Sequence, residues 1–412
     1  MNTQATVWHH LSAAPHRSLF LVGALQGVLT LLWWVFDLIG RYGIVGSMSV
    51  WSMAPIWAHA FLMVYGFFPF FIFGFLFTTF PNWMNGEKIK PRQFLATCLL
   101  MAGGVMLFYA GLFAGKNILL GGIVLMLTGW GIAILALLRV LLSTQAEDKR
   151  HARVASVAFI FGWLGMAAYL VWLLTDQWVF LDFSRQAGIW FFLLPILLTV
   201  SHRMIPFFSS RVLENYVMVR PYALLWLMLA CSAGHGLLQL MGMPQYTWWV
   251  DFPLAGCALY LSWAWGFLRS FSVSLLAVLH ISFAWLSVSM LLFATQSLIT
   301  WLSDGERMWL GLAPLHALAI GYFASMVLGM ASRVTIGHSG RPLVLDHFTW
   351  QLFLGFQAAT LFRILPDIIP AIATLAPVLY VLAGTVWFIC FTLWAARFAP
   401  IYWRPRVDGK PG

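Results

Sequence analysis

Charge is scarce in this chain: Asp, Glu, Lys and Arg make up 9% of its 412 residues, where a soluble domain carries roughly 25%. With 62% hydrophobic residues and a mean hydropathy of +0.86, a soluble globular protein is excluded and the lipid bilayer is the first partner. No polar stretch is long enough to fold on its own, so residues 1–412 read as a single integral membrane domain. The formal charge of +10 does not indicate nucleic acid. The basic residues sit in short loops between apolar runs, where they set membrane orientation.

Cysteine is scarce as well. Cys98, Cys231, Cys257 and Cys390 all fall in apolar segments and none belongs to a CxxC pair, which excludes a disulfide framework and a thiolate metal-transfer motif. Acidic side chains are missing from the middle third of every apolar run, and Asp37, Asp176, Asp182 and Asp251 sit at run ends. Proton-coupled carriers rely on buried carboxylates, so this absence counts against one. The first 20 residues lack the basic, apolar and cleavage regions of a signal peptide and read as a polar lead-in. No internal repeat is evident, which counts against an inverted-repeat transporter.

What is present is a series of apolar runs, each near the roughly 20 residues that cross a bilayer. They fall at about 18–40, 54–80, 93–114, 118–141, 153–174, 186–208, 221–242, 248–270, 272–296, 307–334, 348–369 and 373–397. This predicts an all-α polytopic bundle of about 12 transmembrane helices. With the N-terminus inside, 18 of the 23 basic residues lie on the inner side, which places both termini in the cytoplasm. Turn chemistry separates the runs at residues 81–86 and 115–117, and the polar run from Ser143 to Arg153 is the longest excursion.

Histidine is the polar equipment that remains. His59, His202, His235, His280, His316 and His338 lie in or at the ends of apolar runs. One such histidine is ordinarily a hydrogen-bonded packing residue, but six in one bundle form a pattern. Helix rise and orientation put His59, His235 and His316 in the outer half and His202, His280 and His338 in the inner half. The 22 positions from His316 to His338 cover roughly 33 Å, about a bilayer core, so these two cannot share one ion. Neutral imidazole suits haem iron and copper. Two metal sites are expected, His59 and His316 at one and His338 and His280 at the other.

Other features carry plainer readings. Ala317, Gly321, Ser325 and Gly329 repeat every four residues, a small-residue face that lets a neighbouring helix approach. The aromatic run from Phe67 to Phe73 reads as a porphyrin flank or as lipid-facing packing, and Met63, Met204, Met326 and Met330 as gap fillers or thioether ligands. Arg203, Arg333 and Arg341 adjoin His202 and His338 and read as interface anchors or as clamps for haem propionates.

One resemblance runs through these residues. His59 followed by Gly74-Phe75-Leu76 and Pro81-Asn82-Trp83, then Arg203-Met204-Ile205-Pro206-Phe207-Phe208, then His316-Ala317-Leu318 and the block from Arg333 to Pro342, resembles the NnrS family over nearly the whole chain. The resemblance implies a multi-pass protein of the bacterial inner membrane that binds haem and copper and protects denitrifying or nitrosatively stressed cells from nitric oxide. On it, His59, His316 and His338 match the family's histidine motifs, and Arg203, Arg333 and Arg341 its arginines. The chain departs by having Ala60 where many relatives are acidic, and His202 where they often have glycine.

Three functions are expected in order. The first is a protein with haem, b-type, and copper that binds or converts nitric oxide or another diatomic ligand, fed by an unidentified electron donor. The second is a transporter or chaperone for copper, haem or a metal complex; the third is a redox or gas sensor reporting through loops such as that from Phe207 to Arg220.

Overall fold

The computed structural model describes residues 7–43, 51–306 and 308–409; Arg307 and Lys410, counted above among the basic residues, lie outside them. Among the described residues the chain is helical throughout. In chain order the helices are α1 (Val7–Ser12), α2 (Pro15–Arg41), α3 (Pro55–Met84), α4 (Pro91–Ala114), α5 (Lys116–Ser143), α6 (Arg150–Thr175) and α7 (Trp178–Val212). They continue with α8 (Tyr222–Leu240), α9 (Trp248–Ala264), α10 (Phe267–Ser270), α11 (Ser274–Leu302), α12 (Ala313–His338), α13 (His347–Ile368) and α14 (Ala376–Trp403). Ten of these are long and apolar enough to cross a membrane. The other two expected runs appear as α9 and α13, in the predicted order.

Boundaries moved where local chemistry differed from its usual reading. The break expected at Pro81 comes later, because α3 continues through Pro81 to Met84. It ends at Asn85, whose φ of 47° closes the last turn, with the Gly86 amide donating to the Pro81 carbonyl at 2.9 Å. The sixth run starts earlier than expected, at Trp178, and the polar turn that follows its apolar first turn stays helical with Asp182 and Arg185 paired along the helix at 2.9 Å.

Burial separates an inner from an outer shell. In α3, α12 and α7 the most apolar stretch is 89%, 83% and 72% buried, against 17% in the last span, so these three helices form the core. The Phe67–Phe73 run lies wholly inside it: Phe68, Phe70, Phe71 and Phe73 are buried. Its lipid-facing reading is therefore overturned. Lipid tails are as apolar as these rings, so what favours burial is close packing rather than escape from water. Stacking of Phe73 on Phe159, with ring centroids 4.7 Å apart, shows that fit.

The small-residue face of α12 packs as expected. A side chain at Gly321 would meet Trp285 at 2.6 Å, and one at Gly329 would meet Val278 at 2.6 Å, both on α11. Ser325 instead accepts from Gln357 of α13 at 3.1 Å. A Gly329→Leu substitution should cost about 1–3 kcal/mol through overpacking, read as a lower melting temperature in detergent. Gly121→Leu, on a face with nothing within 4 Å, should leave it unchanged, and equal effects of the two would contradict this packing.

Candidate functional site

Each of the three core helices widens for part of its length into a π-helix, at Leu62–Phe67 in α3, Ala187–Leu193 in α7 and Ala317–Ala324 in α12. In the first two a proline follows closely. Pro69 and Pro195 have no N–H to offer the carbonyl four residues back, and the preceding turn relaxes to longer bonds, as from the Phe68 amide to Met63 and the Leu194 amide to Ile189. In the third, Ser325 takes the part, its amide and hydroxyl both donating to Ile320. Such bulges recur at functional sites because they redirect side chains. Here His59 stands just before the first π segment, His316 directly before the third, and Trp190 of the second stacks on His235 at 3.5 Å.

At the outer end His59 lies flat on Trp34, ring centroids 3.8 Å apart at 9°, and its Nδ1 is buried without a partner. His316 lies within electrostatic reach of His59. Its Nδ1 is 3.0 Å from the Leu312 carbonyl; a carbonyl only accepts, so Nδ1 carries the proton and Nε2 is left with a lone pair. Metal-binding histidines are commonly oriented in this way. Both rings also feel Arg363, which is held by Asp367 at 3.0 Å and lies 4.1 Å above the Tyr380 ring. Arg363, counted in the sequence only as an outer basic residue, is thus part of this end, and the i,i+4 spacing to Asp367 was its available signal.

The third outer histidine has a different setting. His235 Nδ1 meets Asp251 Oδ1 at 2.7 Å, and both side chains are sealed from solvent. Its Nε2 faces Gln239 at 3.3 Å, while Asp251 Oδ2 is buried with no partner. This corrects the inference from missing carboxylates. Asp251 opens α9 and lies at a run end by position, yet it is fully inside the protein.

At the inner end His338 meets a residue absent from the expected set. His16, at the start of α2, has its ring 4.8 Å from that of His338. Its Nδ1 lies 3.4 Å from Thr78 Oγ1, whose own proton goes to the Gly74 carbonyl at 2.8 Å, so His16 donates there and keeps Nε2 free. Arg17 and Arg406 lie within reach of His338, and Arg17 is itself fixed by the Tyr402 and Arg404 carbonyls. The Pro-His-Arg triplet at a helix start hides His16 within what reads as a polar leader.

The remaining histidines are engaged. His280, expected with His338, meets Ser209 at 3.1 Å, and no ring contact or hydrogen bond joins it to His338 among the described residues. His202 bonds His151 at 3.0 Å and the Pro221 carbonyl at 3.3 Å, so both its nitrogens are taken. Arg333 is buried with its guanidinium 3.8 Å above Phe208, Arg203 lies over Trp83 at 4.8 Å, and Arg341 is exposed. Among the described residues no three His, Cys, Asp or Glu side chains converge as metal ligands.

These features define a polytopic helical membrane protein with a pair of histidines at each end of α12, one of its three core helices. The NnrS family model matches residues 10–406, and the chain belongs to the NnrS family. No match was found among curated proteins. Membership makes it a membrane protein of the nitric oxide stress response, in a family known in general for binding haem and copper. The donor set fits such groups: the orphaned His59 Nδ1 and the lone pairs left on His316 and His16 are imidazole nitrogens suited to iron or copper.

The inner pairing is testable without metal. In a chain freed of its native cysteines, His16→Cys with His338→Cys should be joined by a short bifunctional thiol reagent, read as a linked peptide by mass spectrometry. His280→Cys with His338→Cys should not; linkage of the second pair alone would contradict the arrangement.

Proposed function

We propose that this is a haem- and copper-binding protein of the bacterial inner membrane that protects against nitric oxide by binding or converting it at a histidine-ligated haem. The observation that carries this reading is the tautomer of His316, fixed by the Leu312 carbonyl beside the unpartnered His59. His59 and His316 would hold one centre, and His338 with His16 the other. Bound haem supplies an iron position open to a diatomic ligand and one-electron chemistry. Around it, Trp34 would hold the His59 plane, and Arg363 would place positive charge beside the outer pair. Arg333 would meet a haem propionate near His338, since its guanidinium has no carboxylate partner among the described residues. His280, His202 and His235 take supporting parts in this reading. Reduction needs an electron donor on at least one face.

The transport reading finds less support. Between the two histidine ends the core cavity is only about 30 Å³ and is lined by Phe20, Phe71, Leu76, Val327 and Met330 among other apolar residues. A metal or porphyrin cargo would meet no imidazole, thiolate or carboxylate there, only the Met330 thioether.

The test is an optical spectrum of the purified protein, oxidised and reduced, with and without nitric oxide, alongside iron and copper quantification. A haem spectrum that shifts with nitric oxide, with copper present, is expected. A colourless protein that stays metal-free after growth with haem and copper would overturn the reading.

A further inference from the structure

A second polar site lies away from both histidine pairs. Where the inner end of α3, the α5–α6 connection and the inner part of α7 meet the start of α8, the protein forms an open cavity of about 540 Å³. Arg203 and Arg220 both line it and lie within electrostatic reach of each other. Neither makes a hydrogen bond or ion pair to a carboxylate among the described residues, and Arg203 has only the Trp83 face. Two half-buried guanidinium groups that repel across one cleft, with only the already paired Asp148 close by, leave room and charge for an anion between them.

The acidic residues on the same wall do not fill that need. Asp148 gives its oxygens to Arg150, at 3.0 and 3.2 Å, and to the Tyr222 hydroxyl at 2.5 Å. The Arg150 hydrogen bonds hold the Asp148 carboxyl well below the usual range, so it stays ionised and already paired. Glu147 is exposed on the rim. Asn85 and Gln145 add amide donors to the lining. The adjacent His202 has both nitrogens occupied, so it offers no free ring nitrogen to a haem iron beside this site.

We propose that this cavity binds a phosphate-bearing anion, clamped by Arg203 and Arg220. Two guanidinium forks and two amides present more N–H groups than a carboxylate accepts, whereas a tetrahedral phosphate can take them from several directions. The volume falls in the range of small-ligand pockets, larger than one phosphate ion, so it suits a phosphate ester. The cavity opens at the face rich in basic residues, where the ester is either a free solute or the headgroup of an anionic lipid.

The experiment reads phenylglyoxal modification of Arg203 and Arg220 in the wild-type protein, by peptide mapping, with inorganic phosphate, glycerol phosphate or phosphatidylglycerol present. Sodium chloride at matched ionic strength is the control. Slowed modification of both arginines by the two soluble phosphates assigns a free ester, and slowing by phosphatidylglycerol alone assigns the headgroup. Unchanged modification with all three overturns the proposal. As a second reading, the effective ligand should raise the melting temperature by a few degrees in the wild type and not in a folded Arg203→Gln, Arg220→Gln double variant. An equal rise in that variant would also overturn it.

Discussion

An imidazole inside a membrane bundle has no water to bond, so each ring nitrogen must find its partner within the protein or bind something from outside. The structure follows from how seven histidines meet that demand. His235 uses Asp251, His202 uses His151 and Pro221, and His280 uses Ser209. His316 and His16 each spend Nδ1 on the protein and keep Nε2. His59 leaves Nδ1 buried and unpaired beside them, and His338 is held against His16 by ring contact. Buried polar groups without partners are uncommon in native structures. Such atoms are scattered through the bundle, but His59 Nδ1 is the one imidazole nitrogen among them in the described residues, and with the Nε2 atoms left by His316 and His16 it puts uncommitted imidazole nitrogens at the two ends of α12.

The backbone is arranged to allow this. Three π segments, one in each core helix, re-aim the rings that precede or face them, and longer bonds from the Phe68, Leu194 and Ser325 amides close each segment. Around them, Gly321 and Gly329 let α11 close on α12. The layer between the two ends is aromatic and tightly filled, which keeps the ends apart as separate sites. Electrostatics completes the outer end: Arg363, tied to Asp367, sets a positive charge beside the His59 and His316 rings.

Much of the fold was legible because hydrophobic length and basic-residue bias follow directly from the bilayer. All twelve expected runs correspond to helices, and the small-residue face of α12 was read with its purpose. What failed to show was any property that depends on which helices touch. His16 sits beside His338 only because α2 lies next to α12, and position along the chain made it look like a leader. Asp251 read only as a run-end residue for the same reason, although it is buried against His235 of α8. The Phe67–Phe73 run could not be assigned to lipid or protein from composition, since the two environments are equally apolar. The π segments have no hydrophobic signature, although Pro69 and Pro195 mark two of them.

The central claim is that two imidazole pairs, one at each end of α12, hold two separate metal centres. It is tested most directly by iron and copper content of purified His316→Ala and His338→Ala variants, with His59→Ala and His16→Ala as the partner of each. The account predicts that His316→Ala and His59→Ala lose one and the same metal, while His338→Ala and His16→Ala lose the other. Loss of both metals in every folded variant, or of neither in any, would contradict it.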